Sequence, residues 1–304
     1  MRHPNEPNRF GWVVEIDPFA PAGKPVKRTA LGRFKHENAE LVVAPNGKVV
    51  VYMGCDERNE YLYKFVSSGT YNPADKTSGA NLLDSGTLYV ARFNDDGTGR
   101  WLKLTPDARI IAADGTESAV TLAQKYADVI GGNAADVTLA DIIIHTRLAA
   151  DWAGATKMDR PEWTAVNPLN GDVYLTLTNN TSDHRKANVD PANPRKNNVS
   201  GHIIRWHDDA NQVDFTWDVF VFGDAAGSYI VNNQPDAIHN SGLTADNQFA
   251  SPDGLAFDAR GILWIQTDNG LDSRPPGSSN DVGNAINDQV LAVIPGKLKT
   301  GAGA

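Results

Sequence analysis

The feature that most constrains this chain is a succession of short apolar runs, each bounded by turn residues. The runs are rich in Val, Ile, Tyr and Trp, which favour strands, and several alternate apolar and polar residues with a period of two. They are GWVVEID at 11–17, KVVVYMG at 48–54, TLYVARF at 87–93, DVYLTLT at 172–178, GHIIRWH at 201–207 and GILWIQT at 261–267. Asn-Gly, Asp-Gly and proline-containing turns separate them. The pattern predicts an all-β fold.

Three segments share a loose internal repeat. In each, an acidic residue precedes a strand, a turn glycine follows, and a second strand returns: HENAELVVAPNGKVVVYMG, RPEWTAVNPLNGDVYLTLT and SPDGLAFDARGILWIQTD. The acidic residues Glu37, Glu162 and Asp253 lie ten, nine and eight residues before Gly47, Gly171 and Gly261. Repeated hairpins of this kind favour propeller blades, whose inner strands begin near a shared central opening. A β-sandwich with similar hairpins is the alternative.

The repeat predicts a single partial β-propeller domain over residues 1–304, with two insertions. Residues 118–150 carry apolar residues at helical spacing with Gly131 and Gly132 as a break, which predicts a helical insertion of two helices. Residues 179–200 are polar and contain prolines, which predicts a long exposed loop. Both ends of the sequence look cut, so the propeller is expected to be incomplete.

Composition excludes several classes of function. The formal charge is -9, from 37 acidic against 28 basic residues, which argues against a nucleic-acid partner. A single cysteine, Cys55, excludes an internal disulfide and a cysteine zinc site built from this chain alone. No apolar run is long enough to cross a bilayer, and the opening MRHPNEPNRF has no signal-peptide core. The sequence predicts no membrane partner and no signal peptide in this chain.

Acidic residues near the ends of the predicted strands are the candidates for chemistry. Besides Glu37, Glu162 and Asp253, the pair Asp56 and Glu57 follows a strand directly. Calcium takes six to eight oxygen ligands, and carboxylates from several loops can supply them. Each carboxylate taken alone is better explained by a turn or by exposure to solvent, and it is their parallel placement that favours a metal site.

Arg160 is the candidate for holding an anion. It stands between Asp159 and Pro161, two residues before Glu162, and a guanidinium grips a phosphate with paired donors. The alternative is a structural ion pair, with Asp159 as the nearest partner in sequence. The chain has no P-loop, no EF-hand loop, no HExxH helix and no GxSxG serine.

Longer phrases resemble one known family. They are NRFGWVVEIDPF, KRTALGRFKHENA, YMGCDERNEYLYKFVS, LLDSGTLYVARFNDDGTGRW, TRLAADWAGATKMDRPEW, GHIIRW and FASPDGLAFD. In this order they resemble the PhoX-type alkaline phosphatases, and the resemblance covers nearly the whole chain. It implies a six-bladed β-propeller with calcium and iron at its centre that hydrolyses phosphate monoesters.

The resemblance also implies roles for individual residues. Glu37, Glu162 and Asp253 would be calcium ligands, Asp56 and Glu57 would be further metal ligands, and Arg160 would contact the phosphoryl group. It implies phosphomonoester substrates, a periplasmic or secreted location, and the remaining segments of the same propeller as partners. Phrases similar to WGTWLTCEE and GCEVTG are absent from this sequence, so the iron ligands are partly missing from the chain.

Three functions follow as hypotheses. The first is phosphomonoester hydrolysis at a calcium and iron centre, incomplete in this chain, with the activity of these residues alone left open. The alternatives are a non-catalytic calcium-binding propeller scaffold and a lactonase-type propeller hydrolase, which also uses calcium at its central opening.

Overall fold

The structure is a computed structural model that describes residues 3–210, 212–223, 230–231, 234–235, 242–244, 246–269 and 288–296. Strands dominate it, as the sequence predicts. They are β1 (Val14–Glu15), β2 (Val26–Lys27), β3 (Glu40–Val43), β4 (Lys48–Gly54), β5 (Arg58–Glu60), β6 (Leu62–Thr70), β7 (Gly86–Phe93), β8 (Thr98–Lys103), β9 (Arg109–Ile111), β10 (Glu117–Thr121), β11 (Met158–Asp159), β12 (Pro161–Val166), β13 (Val173–Leu177), β14 (His202–Asp208), β15 (Asp214–Phe222), β16 (Ile230–Val231), β17 (Gln234–Pro235), β18 (Pro252–Phe257), β19 (Leu263–Thr267) and β20 (Val290–Val293).

Helices are fewer and shorter. The α-helices are α1 (Leu122–Ile130), α2 (Leu139–Ile144), α3 (Thr146–Ala153) and α4 (Asp183–Ala187). Short 3-10 helices span Glu6–Arg9, Thr29–Leu31, Lys76–Gly79 and Ala134–Asp136. In the part of the chain that the structure describes, no helix has the length and apolar composition needed to cross a membrane.

The chain forms two compact units that interleave in sequence. Unit 1 contains Met1–Met53, Tyr61–Arg92 and Trp101–Ala155, and unit 2 contains Gly54–Glu60, Phe93–Arg100 and Thr156–Ala304. The prediction of a single propeller domain over residues 1–304 stays a prediction.

Unit 1 contains an antiparallel sheet in which β3, β4, β6 and β7 are neighbours in that order. Aromatic residues fill its interior. Phe34 stacks on Tyr63 with ring centroids 4.1 Å apart, and the fully buried Lys64 lies 4.6 Å from the ring of Trp101. Burial of aromatic and aliphatic side chains on one face of a sheet is the main stabilising contribution in such a unit.

The predicted helical insertion, residues 118–150, also lies in unit 1. Helix α1 begins with a capping box between Thr121 and Gln124 and ends at Gly131, the predicted break. The second predicted helix is divided into α2 and α3, because His145 has a non-helical backbone with φ of -105°. The insertion therefore holds three α-helices rather than two.

Unit 2 contains two antiparallel arrays. Strands β12, β13, β14 and β15 pair in that order, and β15 pairs further with residues 98–100 of β8. Strands β18, β19 and β20 form the second array. Their shared core consists of Ala165, Tyr174, Ile203, Leu255, Leu263 and Ile265, all at most 2% exposed. This core holds the β12–β13 hairpin against the β18–β19 hairpin.

The three repeats of the sequence are three hairpins of the structure. Strands β3 and β4, β12 and β13, and β18 and β19 pair antiparallel. The turn glycines Gly47, Gly171 and Gly261 have φ of 78°, 79° and 78°, a region that glycine occupies without the cost a side chain would add. The repeat is thus confirmed as a recurring hairpin.

The prediction for residues 179–200 is wrong in one respect. The segment contains α4 and is not broadly exposed, because Asn180, Arg185, Asn193, Arg195 and Asn198 are fully buried. Polar composition suggests exposure only when the polar groups have no internal partners. Here a buried carboxylate, Asp159, accepts hydrogen bonds from three of them, Asn180, Arg185 and Asn198.

Candidate active site

The candidate site in unit 2 lies at the beginning of two equivalent hairpins. In each, a residue with positive φ precedes a proline: Arg160 at 56° before Pro161, and Ser251 at 53° before Pro252. The strand register then shifts between Pro161 and Thr164 and, in the second hairpin, between Pro252 and Leu255. Such bulges change the direction of a side chain at a strand end. Glu162 and Asp253 each lie in one of these bulges.

Strand β13 connects the two bulges. The Thr176 hydroxyl donates to the Asp253 carbonyl at 2.6 Å, and the Thr178 hydroxyl donates to the Pro252 carbonyl at 2.9 Å. These bonds hold the start of β18 against the end of β13 and Thr178 just after it, and β13 pairs with the start of β12 through Pro161 and Leu177. The predicted ligands Glu162 and Asp253 therefore lie together, close enough for Asp253 to raise the pKa of Glu162.

The electrostatics of this carboxyl pair are unusual. Burial, then the hydrogen bond with Asp253 and its charge, raise the pKa of Glu162 to about 10. Two carboxyl groups in contact cannot both ionise cheaply without a compensating positive charge. A bound cation would supply that charge.

Arg160 supplies part of the positive charge. Its Nε and Nη2 donate to the two oxygens of Asp56 at 2.9 and 3.2 Å, which is the paired geometry expected of a guanidinium on a carboxylate. Nη2 also lies 2.9 Å from Glu162 Oε1. Burial lowers the pKa of Arg160, but the carboxylates of Asp56, Glu162 and Asp268 outweigh it and raise the pKa overall. Arg160 therefore stays charged.

Asp56 reaches Arg160 from the turn after β4. At the end of that strand, a Cβ on Gly54 would lie 2.2 Å from the Glu162 carbonyl oxygen, so only glycine permits this approach. The structure brings Asp56 together with Arg160 and Glu162. Glu57, beside Asp56, is half-buried, and its role as a ligand stays a prediction.

The donor set fits calcium. A carboxylate oxygen of Asp56 and one of Glu162 lie within 4.8 Å of each other. Glu162 Oε1 is buried and accepts no hydrogen bond among the described residues, although Arg160 is near, because the N–H groups are not directed at it. A buried carboxylate oxygen that accepts no hydrogen bond is stabilised by nearby positive charge, from Arg160 at 2.9 Å and from any cation bound beside it. Hard oxygen ligands of this kind suit calcium.

Asp268 is a member of this cluster that the sequence interpretation missed. Burial and the Asp253 charge raise its pKa, whereas Arg160 lowers it. Its backbone N–H donates to the Ser251 carbonyl at 2.9 Å, which fixes it beside the second bulge. Asp268 is the last residue of the third repeat, and that position after a returning strand was the available signal.

Asp159 is not the partner of Arg160. Its carboxylate is fully buried and pairs with Arg185 at 2.7 Å, whereas Arg160 pairs with Asp56. The alternative of an Arg160–Asp159 ion pair is therefore wrong.

Glu37 belongs to unit 1, where it is exposed and precedes β3. Its convergence with Glu162 and Asp253 stays a prediction.

Carboxylates gathered around one arginine at the starts of antiparallel hairpins define a candidate site for a cation together with an anionic group. The protein-family comparison gives this class a specific family. Residues 1–295 match the family described as alkaline phosphatase PhoX. The chain belongs to the PhoX family.

A solved structure agrees with this assignment. The chain is similar to Pseudomonas fluorescens PhoX in complex with vanadate, which is described as a transition state analogue. The identity is 43%, the TM-score is 0.76, and the match covers 96% of this chain and 48% of that chain. This chain thus spans about half the length of its relative. No curated protein matches it.

Proposed function

We propose that this chain takes part in the hydrolysis of phosphate monoesters and that unit 2 supplies the groups that hold the phosphoryl group. The observation that carries the proposal is the placement of Arg160 against Asp56 and the Glu162–Asp253 pair in a chain of the PhoX family. The vanadate complex of the similar Pseudomonas fluorescens protein supports a tetrahedral or pentacoordinate oxyanion as the natural occupant.

Arg160 is the residue proposed to contact the substrate. A guanidinium has five N–H donors in a planar fork, and Asp56 uses one edge of it, formed by Nε and Nη2. The Nη1 donors face neither Asp56 nor Glu162 in these contacts. They can donate hydrogen bonds to the phosphoryl oxygens as negative charge develops there, and a donor fixed in advance lowers the barrier more than one that must reorganise.

Asp56, Glu162 and Asp253 are proposed as calcium ligands, with Glu37 and Glu57 as further candidates. When bound, calcium would neutralise these carboxylates and present positive charge to the phosphoryl oxygens. The resemblance implies iron as a second metal, and we assign no residue of unit 2 to it. A six-bladed propeller, incomplete in this chain, and a periplasmic or secreted location are proposed on the same resemblance.

The test is hydrolysis of p-nitrophenyl phosphate by the purified chain with added calcium and iron, compared with Arg160→Lys. Lysine keeps the charge but not the fork, so the rate should fall about a hundredfold to a thousandfold, as for the loss of one donor at a catalytic site. Arg100→Lys is the matched control, because Arg100 forms an exposed pair with Asp214 at 2.9 Å.

Two outcomes would contradict the proposal. Equal rates for wild type and Arg160→Lys would remove Arg160 from the site. Turnover of a lactone in place of the phosphate ester would favour the lactonase-type hydrolase.

A further inference from the structure

The buried segment at residues 180–198, named here the clamp, contacts both loops that carry the Arg160–Asp56 pair. The first loop is fixed through Asp159, the residue before Arg160. Its Oδ1 accepts from Arg185 Nε at 2.7 Å and from Asn180 Nδ2 at 2.9 Å, and its Oδ2 accepts from Asn198 Nδ2 at 3.0 Å. Its backbone N–H donates to Asn193 Oδ1 at 3.0 Å. Asp159 therefore cannot change its conformation without breaking some of these four hydrogen bonds.

The second loop is fixed through Asn59, three residues after Asp56. Asn59 Oδ1 accepts from Asn180 Nδ2 at 3.0 Å, and Asn59 Nδ2 donates to the Ser182 hydroxyl at 3.1 Å. The strands of the two loops also pair directly, with Arg58 opposite Asp159. The clamp thus sets the position of the loop that presents Asp56.

Asn180 contacts both loops with one amide group. Its Nδ2 lies 2.9 Å from Asp159 Oδ1 and 3.0 Å from Asn59 Oδ1, and the residue is fully buried. Its own backbone N–H donates to the Asn198 carbonyl at 2.6 Å. Just before it, the Thr178 N–H donates to the Arg160 carbonyl at 3.3 Å. The Asn180 side chain is therefore hydrogen-bonded to the loop on each side of the Arg160–Asp56 ion pair.

Stability alone does not account for this arrangement. Burying an ion pair often costs as much as the pairing returns, and apolar residues of similar volume can be equally stable there. Burial raises the pKa of Asp159 to about 6 despite the charge of Arg185 and the amides of Asn198 and Asn180. The carboxylate is thus held at a cost. Arg160 beside it also keeps a left-handed backbone, with φ of 56°. A residue other than glycine keeps this strained conformation when the surrounding structure imposes it.

We propose that Asn180 is a positioning residue, which through Asp159 and Asn59 holds Arg160 and Asp56 in the paired geometry required to receive a phosphoryl group. The role toward the phosphoryl group rests on the proposed function. The role toward the ion pair does not, and it can be measured separately.

The test follows the Arg160 Nε–H by NMR in the chain labelled with ¹⁵N-arginine, using Arg160→Lys to assign the signal. Asn180→Ala should speed exchange of this proton with solvent on the order of tenfold, because the hydrogen bonds that fix both loops are lost. The Arg100 signal, from an exposed ion pair in the same unit, should not change. Asn188→Ala, which alters an exposed residue of the clamp, is the matched control and should leave Arg160 unchanged.

A second variant tests the proposal even if Asn180→Ala does not fold. Asn59→Gly removes the same contact from the other side, and glycine suits the φ of 67° at this position. Unchanged Arg160 exchange in both Asn180→Ala and Asn59→Gly would overturn the proposal, as would an equal increase for Arg100. If Asn180→Ala does not fold, Asn59→Gly decides alone.

Vanadate binding separates the role of Asn180 toward the phosphoryl group from its role toward the ion pair. With calcium present, Asn180→Ala should raise the vanadate dissociation constant about tenfold. The double variant, Asn180→Ala with Arg160→Lys, should bind vanadate no more weakly than Arg160→Lys alone. Independent, multiplying effects would show that Asn180 does not act through Arg160. If Arg160 exchange responds but wild type binds no vanadate, the proposed function fails and the positioning of the ion pair stands.

Discussion

Replacement of Arg185 by methionine tests the buried network of unit 2 most severely. The guanidinium donates to Asp159 at 2.7 Å, to Asp190 at 3.1 Å, and to the carbonyls of Lys157, Asn188 and Asn193 at 3.0 to 3.2 Å. Methionine fills much of the volume but leaves the Asp159 carboxylate and these carbonyls without their donor. Breaking a buried pair in this way costs about 3–5 kcal/mol.

The cost should depend on pH. The folded pKa of Asp159, about 6, is above its unfolded value of 3.8, so this group favours folding below pH 3.8 and that contribution is lost as pH rises through 6. Without Arg185 the pKa of Asp159 rises further, because the opposing charge is gone. The variant should therefore lose more stability at pH 8 than at pH 5.

Hydrogen–deuterium exchange of peptides covering residues 179–200 measures the free energy of opening in this segment. Lys186→Met is the matched control, because Lys186 is exposed on the same helix and forms a surface pair with Asp183 at 3.1 Å. A surface pair of this kind contributes roughly 0–1 kcal/mol. A loss below about 1 kcal/mol for Arg185→Met, or an equal loss at both pH values, would show that the Arg185–Asp159 pair does not stabilise this segment.

Two further predictions concern the carboxylates. Calcium binding at pH 7 should release about one proton, because burial and Asp253 raise the pKa of Glu162 to about 10 and calcium requires the ionised form. Calorimetry in buffers of different ionisation enthalpy measures the release, calcium affinity should increase from pH 7 to pH 9, and pH-independent binding would count against the site. Gly54→Ala should destabilise unit 2 by about 1–3 kcal/mol and weaken calcium binding, because the new methyl would overlap the Glu162 carbonyl. Gly296→Ala, where a Cβ meets no atom within 4 Å, is the control for thermal unfolding, and equal melting temperatures would contradict the overlap.

The hairpins could be predicted from the sequence because their signals are local. Strand residues alternate with a period of two, and the turn glycines Gly47, Gly171 and Gly261 mark where each chain reverses. Placement of Glu162 and Asp253 followed from the same repeat, since equivalent positions in equivalent hairpins occupy equivalent bulges.

The remaining parts of the site depend on contacts between distant residues. Nothing near Arg160 in sequence indicates that its partner is Asp56, 104 residues away, rather than the adjacent Asp159. The buried clamp escaped prediction for the same reason. Its asparagines and Arg185 look like solvated loop residues until Asp159, a carboxylate outside the segment, gives them an internal partner.

A crystal structure of the chain grown with calcium chloride and vanadate tests the proposed phosphoryl site directly. We expect calcium bound to carboxylate oxygens of Asp56, Glu162 and Asp253, and a vanadate oxygen in hydrogen-bond contact with the Arg160 guanidinium. Calcium bound away from these carboxylates, or vanadate that makes no contact with Arg160, would contradict the proposed site.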